Sequence, residues 1–338
     1  MARGVAEGFT ATLKAAQEAA TNTPYIRTVI NAVDYSSKLL FLEHHEEAYR
    51  DYATLDFRND DRAFDALDLR GRELEIGYGH TTGAGNEYCS TATLWVKSQH
   101  IISVEGLVVC RLYCEGMWTY LREQRIMFVG ASPWYRNEWT IKTPYGIIEE
   151  IIETGFTWIL EALGTADDGI INTFLPVFTL NQLPWENATE VLYRLIQMTK
   201  CYLRPKPSKT FKVVYPQTAD VADHTYYSYQ AHYFKEYTEK KNELVPNRIV
   251  VFANFDPLVE STWAGKLTGD TGAYSGQYVE VIENFIASSI TNQTDVDNRA
   301  AAILTRIRSE SLSAYLVVPH DASVELYDKV SIDDARGF

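Results

Sequence analysis

The feature that most constrains this chain is the density of short strand-like segments between residues 24 and 114. "YIRTVI", "KLLFLE", "ATLDF", "LEIGYG", "ATLWVKS" and "LVVCRLYC" follow one another with only polar or glycine-containing turns between them. A parallel pair needs a crossover of a dozen or more residues, usually a helix, and none fits here. The stretch therefore predicts an antiparallel sheet or barrel. With 22 Tyr and 7 Trp in 338 residues, plus many β-branched side chains, the composition favours strands as well.

One of these strands runs into "LEIGYGHTTGAGNEY", residues 74–88, with Gly77, Gly79, Gly83 and Gly85 close together. A dinucleotide fingerprint needs G-x-G-x-x-G opening a helix. Here the spacing is G-x-G-x-x-x-G-x-G, and the next residues, "NEYCSTATLWV", are strand-like. No Lys-Ser/Thr closes the loop, so a P-loop fails too. The glycines are expected to serve a hairpin turn, because they accept positive φ. His80, Thr81 and Thr82 are then expected on an exposed loop that can touch a neighbouring subunit.

After Cys114 the pattern changes. "EGMWTYLREQRI" has helical character. "TPYGIIEEIIETGFTWILEALG" predicts a long helix capped by Thr143, with Pro144 at the permitted first position. Its stripe is Ile148, Ile151, Ile152, Gly155, Phe156, Ile159 and Leu163. A second helix starts at Asn187 with Glu190 three residues on, a capping-box pattern. Strands return in "KCYLRPKPSKTFKVVYPQ", expected to be a hairpin around Pro205 and Pro207, and in "TYYSYQAHYFKEYTEKKNELVPNRIVVFAN". "YVEVIENFIA" is a further strand, followed by a helix at "DVDNRAAAILTRIRSESL" and closing strands "SAYLVVP" and "VELYDKVSIDD". The order predicts an α+β, mostly β chain: a helical arm over 1–23, a first β-barrel-like domain over 24–125, an α+β domain over 126–242, and a second β-barrel-like domain with one helix over 243–338.

Several chemistries lack support. The formal net charge of −14 repels a phosphate backbone, so sequence-specific DNA binding is not expected. No run of eighteen apolar residues exists, and no membrane span is expected. "MARGVAEGFTATLKAAQEAATN" has no continuous apolar centre and does not read as a secretory signal. Cys89, Cys110, Cys114 and Cys201 form no CxxC pair. Cys110 and Cys114 share a strand face with Leu112 and are expected to be core thiols. In "EHHEE", residues 43–47, the adjacent histidines point to opposite strand faces and make a poor metal site. The acid pairs Glu149–Glu150, Asp167–Asp168 and Asp333–Asp334 are neighbours in sequence, which does not bring two carboxyls together across a cleft. No G-x-S-x-G elbow occurs. No catalytic, cofactor or metal residues are expected. Asn187 and Asn292 match glycosylation sequons but, without a signal, are read as chance. In "TYYSYQAHYFKEY", Tyr227, Tyr229 and Ala231 alternate with Tyr226, Ser228 and Gln230 along a strand. Such rings fill a core or a subunit interface, or stack on sugars.

Taken in order, the pieces resemble one family. "VDYSSKLLFLEHHEEAYRDYATLDFRNDDRAFDALDLRGRELEIGYG" is similar to the opening barrel domain of baseplate (tail) hub proteins of long-tailed bacteriophages and related injection machines. "ATEVLYRLIQMTKCYLRPKPSKTFKVVYP" is similar to their middle domain, and "NRAAAILTRIRSESLSAYLVVPHDASVELYDKVSIDD" to their last segment. The resemblance covers most of residues 24–335. It implies a non-enzymatic homotrimer whose paired domains form a ring between the tail tube and a central spike or fibre. DNA would pass through it during ejection, and the virion would be assembled in the host cytoplasm. His80, Thr81, Thr82, Tyr227 and Tyr229 are the expected interface residues. A carbohydrate-binding tail-tip protein that contacts the host receptor is the alternative. The chain stops at "DDARGF", just after a strand that is expected to have a hairpin partner, so the expectation is either a short C-terminus or a partner strand from another chain.

Overall fold

The structure is a computed structural model that describes residues 7–19, 23–104, 106–124, 138–164, 169–180, 186–217, 219–229, 233–240, 245–256, 258–272, 279–287, 290–311 and 313–335. The arm carries helix α1 (Ala11–Glu18), started by Thr10, whose Oγ1 accepts from the Leu13 amide at 3.0 Å. Strands β1 (Thr23–Ile30), β2 (Val33–Asp34), β3 (Leu39–Glu47), β4 (Arg50–Arg58), β5 (Glu73–Thr82), β6 (Gly85–Ser90), β7 (Leu94–Val104) and β8 (Leu107–Gly116) form one sheet. Its order is β2-β1-β5-β7-β8-β4-β3, with β6 paired to β5. Every pairing is antiparallel, as the short connections require.

Alternation along each strand decides which face is buried. On β4, Ala53, Leu55 and Phe57 turn inward; on β8, Cys110, Leu112 and Cys114 do so. They meet Ile30, Leu74, Ile76, Leu94 and Val96, and Phe64 and Leu69 from the 59–72 connection close the core. Each buried Val, Leu, Ile or Phe among them contributes about 1.5–3 kcal/mol by leaving water. The strand path is open, with β2 and β3 at its ends, and the described strands form no closed barrel in either β-rich region. His44 of end strand β3 nonetheless meets Tyr78 of β5, Nδ1 to OH at 2.9 Å, so the sheet curls until its side chains bridge it.

Helix α2 (Met117–Glu123) begins at the end of β8. Asp51 accepts from the Met117 amide at 3.1 Å, and a Cβ on Gly116 would strike that carboxylate. Next come β9 (Glu138–Trp139), α3 (Pro144–Glu149), β10 (Ile159–Leu160), β11 (Phe178–Thr179), α4 (Ala188–Ile196), β12 (Tyr202–Lys206) and β13 (Thr210–Val214). Trp118, Ile147, Ile151, Leu192, Leu195 and Phe211 fill a second core, to which α2 and Trp95 of β7 also belong. The predicted caps are present: Thr143 on α3, and a full capping box between Asn187 and Glu190 on α4.

The long helix predicted to reach Leu163 is cut short. After Glu149 the backbone widens into a π-type turn over Glu150–Gly155, and Thr157 takes φ +56°. The break swings Trp158 into the core beside Trp95, the rings nearly parallel at 5.9 Å, and frees Ile159 to pair with Thr210. Burial of one indole and a strand pairing outweigh the continued helical stripe.

The remaining elements are β14 (His224–Tyr227), β15 (Glu236–Lys240), β16 (Arg248–Ala253), β17 (Leu267–Gly272), β18 (Ile282–Ala287), α5 (Gln293–Ser311), β19 (Ser313–Val317) and β20 (Val330–Asp333). β16 lies between antiparallel β17 and parallel β18, and α5 covers the three: Val296, Ala300 and Leu304 pack on Ile249, Val251 and Ala253. β15 pairs with β19, and β20 with β14. The last strand thus finds its partner, in parallel, within its own chain, which removes the reason for a donated one. The tyrosine-rich strand ends at Tyr227, so Tyr229 does not continue its alternation; Gln230 and Ala231 lie outside the described residues.

Candidate functional site

The expected interface residues separate. His80 is not on an exposed loop: it sits inside β5, 1% exposed. Only Gly83 and Gly85 flank the turn, Gly85 at φ +115°. Gly77 and Gly79 lie within β5, where a Cβ at Gly79 would come within 1.8 Å of the Glu87 carbonyl oxygen of β6. The glycine-rich pattern therefore extended the expected loop over residues that form a strand. Thr81 is exposed and Thr82 half-buried, and both hold the hairpin: Thr81 Oγ1 donates to Asn86 at 2.9 Å, and Thr82 Oγ1 to the Gly85 carbonyl at 3.0 Å. Tyr227 is half-buried and Tyr229 is 54% exposed, with its hydroxyl donating to Asp333 at 3.0 Å. Their rings stand edge to face at 74°, so the two do not make a flat stacking platform.

The other motifs fall into structural roles. His44 meets Tyr78 while His45 stacks on Tyr52 at 4.5 Å, on the opposite face of β3. Among the described residues no three metal-capable side chains gather. Glu150 accepts from Trp139 and Lys142; burial pushes its carboxyl up, but these two donors prevail and hold it below the usual range. Asp167 and Asp168 lie outside the described residues. All four cysteines are buried and unbridged. Burial pushes the Cys110 thiol up to about 11 and that of Cys114 higher still.

The most highly built polar feature went unread in the sequence. Arg204 on β12 is 2% exposed and donates through Nη1 to Glu325 at 2.9 Å and through Nη2 to Asp328 at 2.8 Å. Lys206, two residues on and thus on the same strand face, reaches Glu325 at 2.9 Å and also Glu7 of the arm. His224 of β14 meets Asp328 at 3.1 Å, and Tyr226 donates to Asp321 at 2.8 Å. Burial raises the Asp328 carboxyl, yet the His224 bond and the Arg204 charge outweigh it and hold it at about 2. The cluster clamps residues 321–328 across β12 and β14. The only local signal was the alternation of Arg204 and Lys206 in a strand whose face is otherwise apolar.

Beside this clamp lies a histidine junction. His320 sits against His80 with ring centroids 5.1 Å apart, and against Tyr78 at 5.4 Å. Neither nitrogen of His80 finds a hydrogen-bond partner among the described residues. Leu13 of α1, Cys89 of β6 and Ala322 form a small buried cluster against Tyr78, and Gln17 accepts from the Ala322 amide at 2.9 Å. Burial draws both imidazoles below the ordinary histidine value, and their mutual repulsion lowers His320 further.

No family model and no curated protein matches the chain. Solved structures do. A tail protein from Neisseria meningitidis MC58 superposes with a TM-score of 0.67 at 10% identity, over 93% of this chain and 88% of that one. The prophage MuSo2 43 kDa tail protein from Shewanella oneidensis gives 0.63 at 12% identity, over 94% and 91%. The chain has the fold of phage tail proteins. A prophage tail protein, gp18, from Listeria monocytogenes EGD-e shares this tail-protein fold more loosely, with a TM-score of 0.50 at 9% identity over 81% and 76%.

Proposed function

We propose that this chain is a structural component of a bacteriophage tail tip, a baseplate hub that joins the tail tube to a central spike or fibre. The observation that carries the reading is the superposition on two tail proteins over nine-tenths of the chain. In this reading three copies form a ring, DNA passes through it during ejection, and the protein reaches the virion after assembly in the host cytoplasm. It has no catalytic role. The proposed division is 1–23, 24–125, 126–242 and 243–338, with the first and last β-rich units lining the ring.

The surface supports a role in assembly. Phe41 on β3, and Ile101, Val104 and Leu107 on the β7–β8 hairpin, are exposed apolar side chains of a kind that subunit contacts cover. Thr81, Tyr227 and Tyr229 remain available as neighbours' contacts; buried His80 does not. The acidic balance keeps DNA from adhering to a channel wall. Light scattering tests the ring: the expected mass is three times the 38.4 kDa chain for the protein alone, and that plus the mass of the bound proteins when its tail partners are present. A monomer under both conditions, with no density for the chain at the tail tip in negative-stain images of labelled virions, would refute the proposal.

A further inference from the structure

A cleft of about 380 Å³ lies between residues 170–177 and α4 on one side and β18 and α5 on the other. Its walls mix apolar side chains, Phe174, Met198 and Ile290 among them, with polar ones such as Gln197 and Asn298. Arg299 of α5 also lines it, half-buried. Among the described residues its guanidinium has no hydrogen-bond or ion-pair partner, and its Nη1 is fully covered. Asp295, one turn earlier, is bonded to Asn292 instead. The other cation at the cleft, Arg194, is taken by Glu186 at 2.6 Å and the Thr179 carbonyl at 2.8 Å. Arg306, two turns along α5, donates to the carbonyls of Thr199 and Cys201 and adds a second positive charge. Burial and that charge draw Arg299 down to about 10.

A half-buried cation without an anion is costly, and an incoming carboxylate removes the cost. The rim shows what else arrives. Leu175, Val177 and Ile286 are 54%, 55% and 60% exposed and extend the apolar surface beyond the cleft mouth. A small anion would leave them wet, whereas a polypeptide segment covers them. We propose that this cleft seats a segment of a partner protein that carries one acidic side chain between apolar ones, the carboxylate pairing with Arg299 and the flanks covering the rim. A single acid suits the site, since the chain's charge of −14 opposes a highly acidic partner. The inference concerns this surface alone and holds whether or not the chain forms a ring.

The test is selection from a random heptapeptide library on the full-length chain, with Arg299→Gln as counter-bait. Enriched peptides are expected to hold one Asp or Glu flanked by Leu, Ile or Phe. Synthesised winners are expected to lose at least tenfold in affinity on Arg299→Gln, or when their acid becomes an amide, and to retain part of it on Arg299→Lys. Ile286→Ser should weaken binding while the acid preference persists. Failure to enrich any peptide, enrichment without an acid, equal binding to Arg299→Gln, or competition by acetate as effective as the peptide itself would each overturn the proposal.

Discussion

Glu325→Gln probes the clamp most directly. The carboxylate is 5% exposed and takes Arg204 at 2.9 Å and Lys206 at 2.9 and 3.1 Å. Glutamine keeps the shape but removes the charge and turns an N–H₂ group toward one of two cation donors. Breaking a buried ion pair from one side costs about 3–5 kcal/mol, because the partner charge stays desolvated. Arg204 retains Asp328 and Lys206 retains Glu7, which places the expected loss near the lower end, about 3 kcal/mol. Urea denaturation followed by tryptophan fluorescence should show the midpoint fall by roughly 1 M for a slope near 3 kcal/mol/M. A double-mutant cycle with Lys206→Met should give a coupling above about 1 kcal/mol. Asp68→Asn serves as the control: its pair with Arg70 is exposed on both sides, and its loss should leave the midpoint nearly unchanged. A loss for Glu325→Gln no larger than for Asp68→Asn would refute the claim that this cluster fastens residues 321–328.

Three further outcomes are expected. His80 and His320 are held below their unfolded value, so the folded state disfavours their protons, and the stability they contribute is full above pH ~6.5 and lost as pH falls below it; hydrogen-exchange protection factors, taken relative to the intrinsic rate at each pH, should fall at residues 9–18 and 318–323 between pH 7.5 and 5, and His80→Phe with His320→Asn should abolish most of the fall. Gly79→Ala drives a methyl into the β6 backbone and should lower the thermal midpoint as an overpacking change of about 1–3 kcal/mol or more, while Gly83→Ala, which meets nothing, should be near neutral. Asp51 is pushed up to about 7, chiefly by burial, so its folded form keeps a proton that the unfolded chain gives up near pH 4, and stability declines across that window as pH rises; Asp51→Asn should therefore melt higher than wild type at pH 8 and show no such gain at pH 4.

The first sheet was legible because its information is local: strict alternation on β4 and β8, and connections too short for anything but antiparallel pairing. The caps at Thr143 and Asn187 were legible for the same reason. Ile159 and Leu163 were misassigned because the stripe carried no sign that Trp158 would turn into a core shared with Trp95, more than sixty residues earlier in the chain. His80 was misplaced because two of its neighbouring glycines answer to the close approach of Tyr88 and Glu87 rather than to a turn. Arg204, Lys206, Glu325 and Asp328 were invisible as a set: each is an ordinary charged residue until the fold closes a gap of more than a hundred positions.

That gap has a consequence for synthesis. A nascent chain presents Arg204 and Lys206 to its growing core well before Glu325 and Asp328 have left the ribosome. Until those acids emerge, completing the core would bury Arg204 without either of its carboxylates. The native seat of Arg204 is therefore complete only once residues 325–328 are in place. Lys206 also holds Glu7, and the Ala322 amide donates to Gln17, so residues 7–17 are fastened at the same junction. A chain cut before residue 321 would leave Arg204 with neither Glu325 nor Asp328.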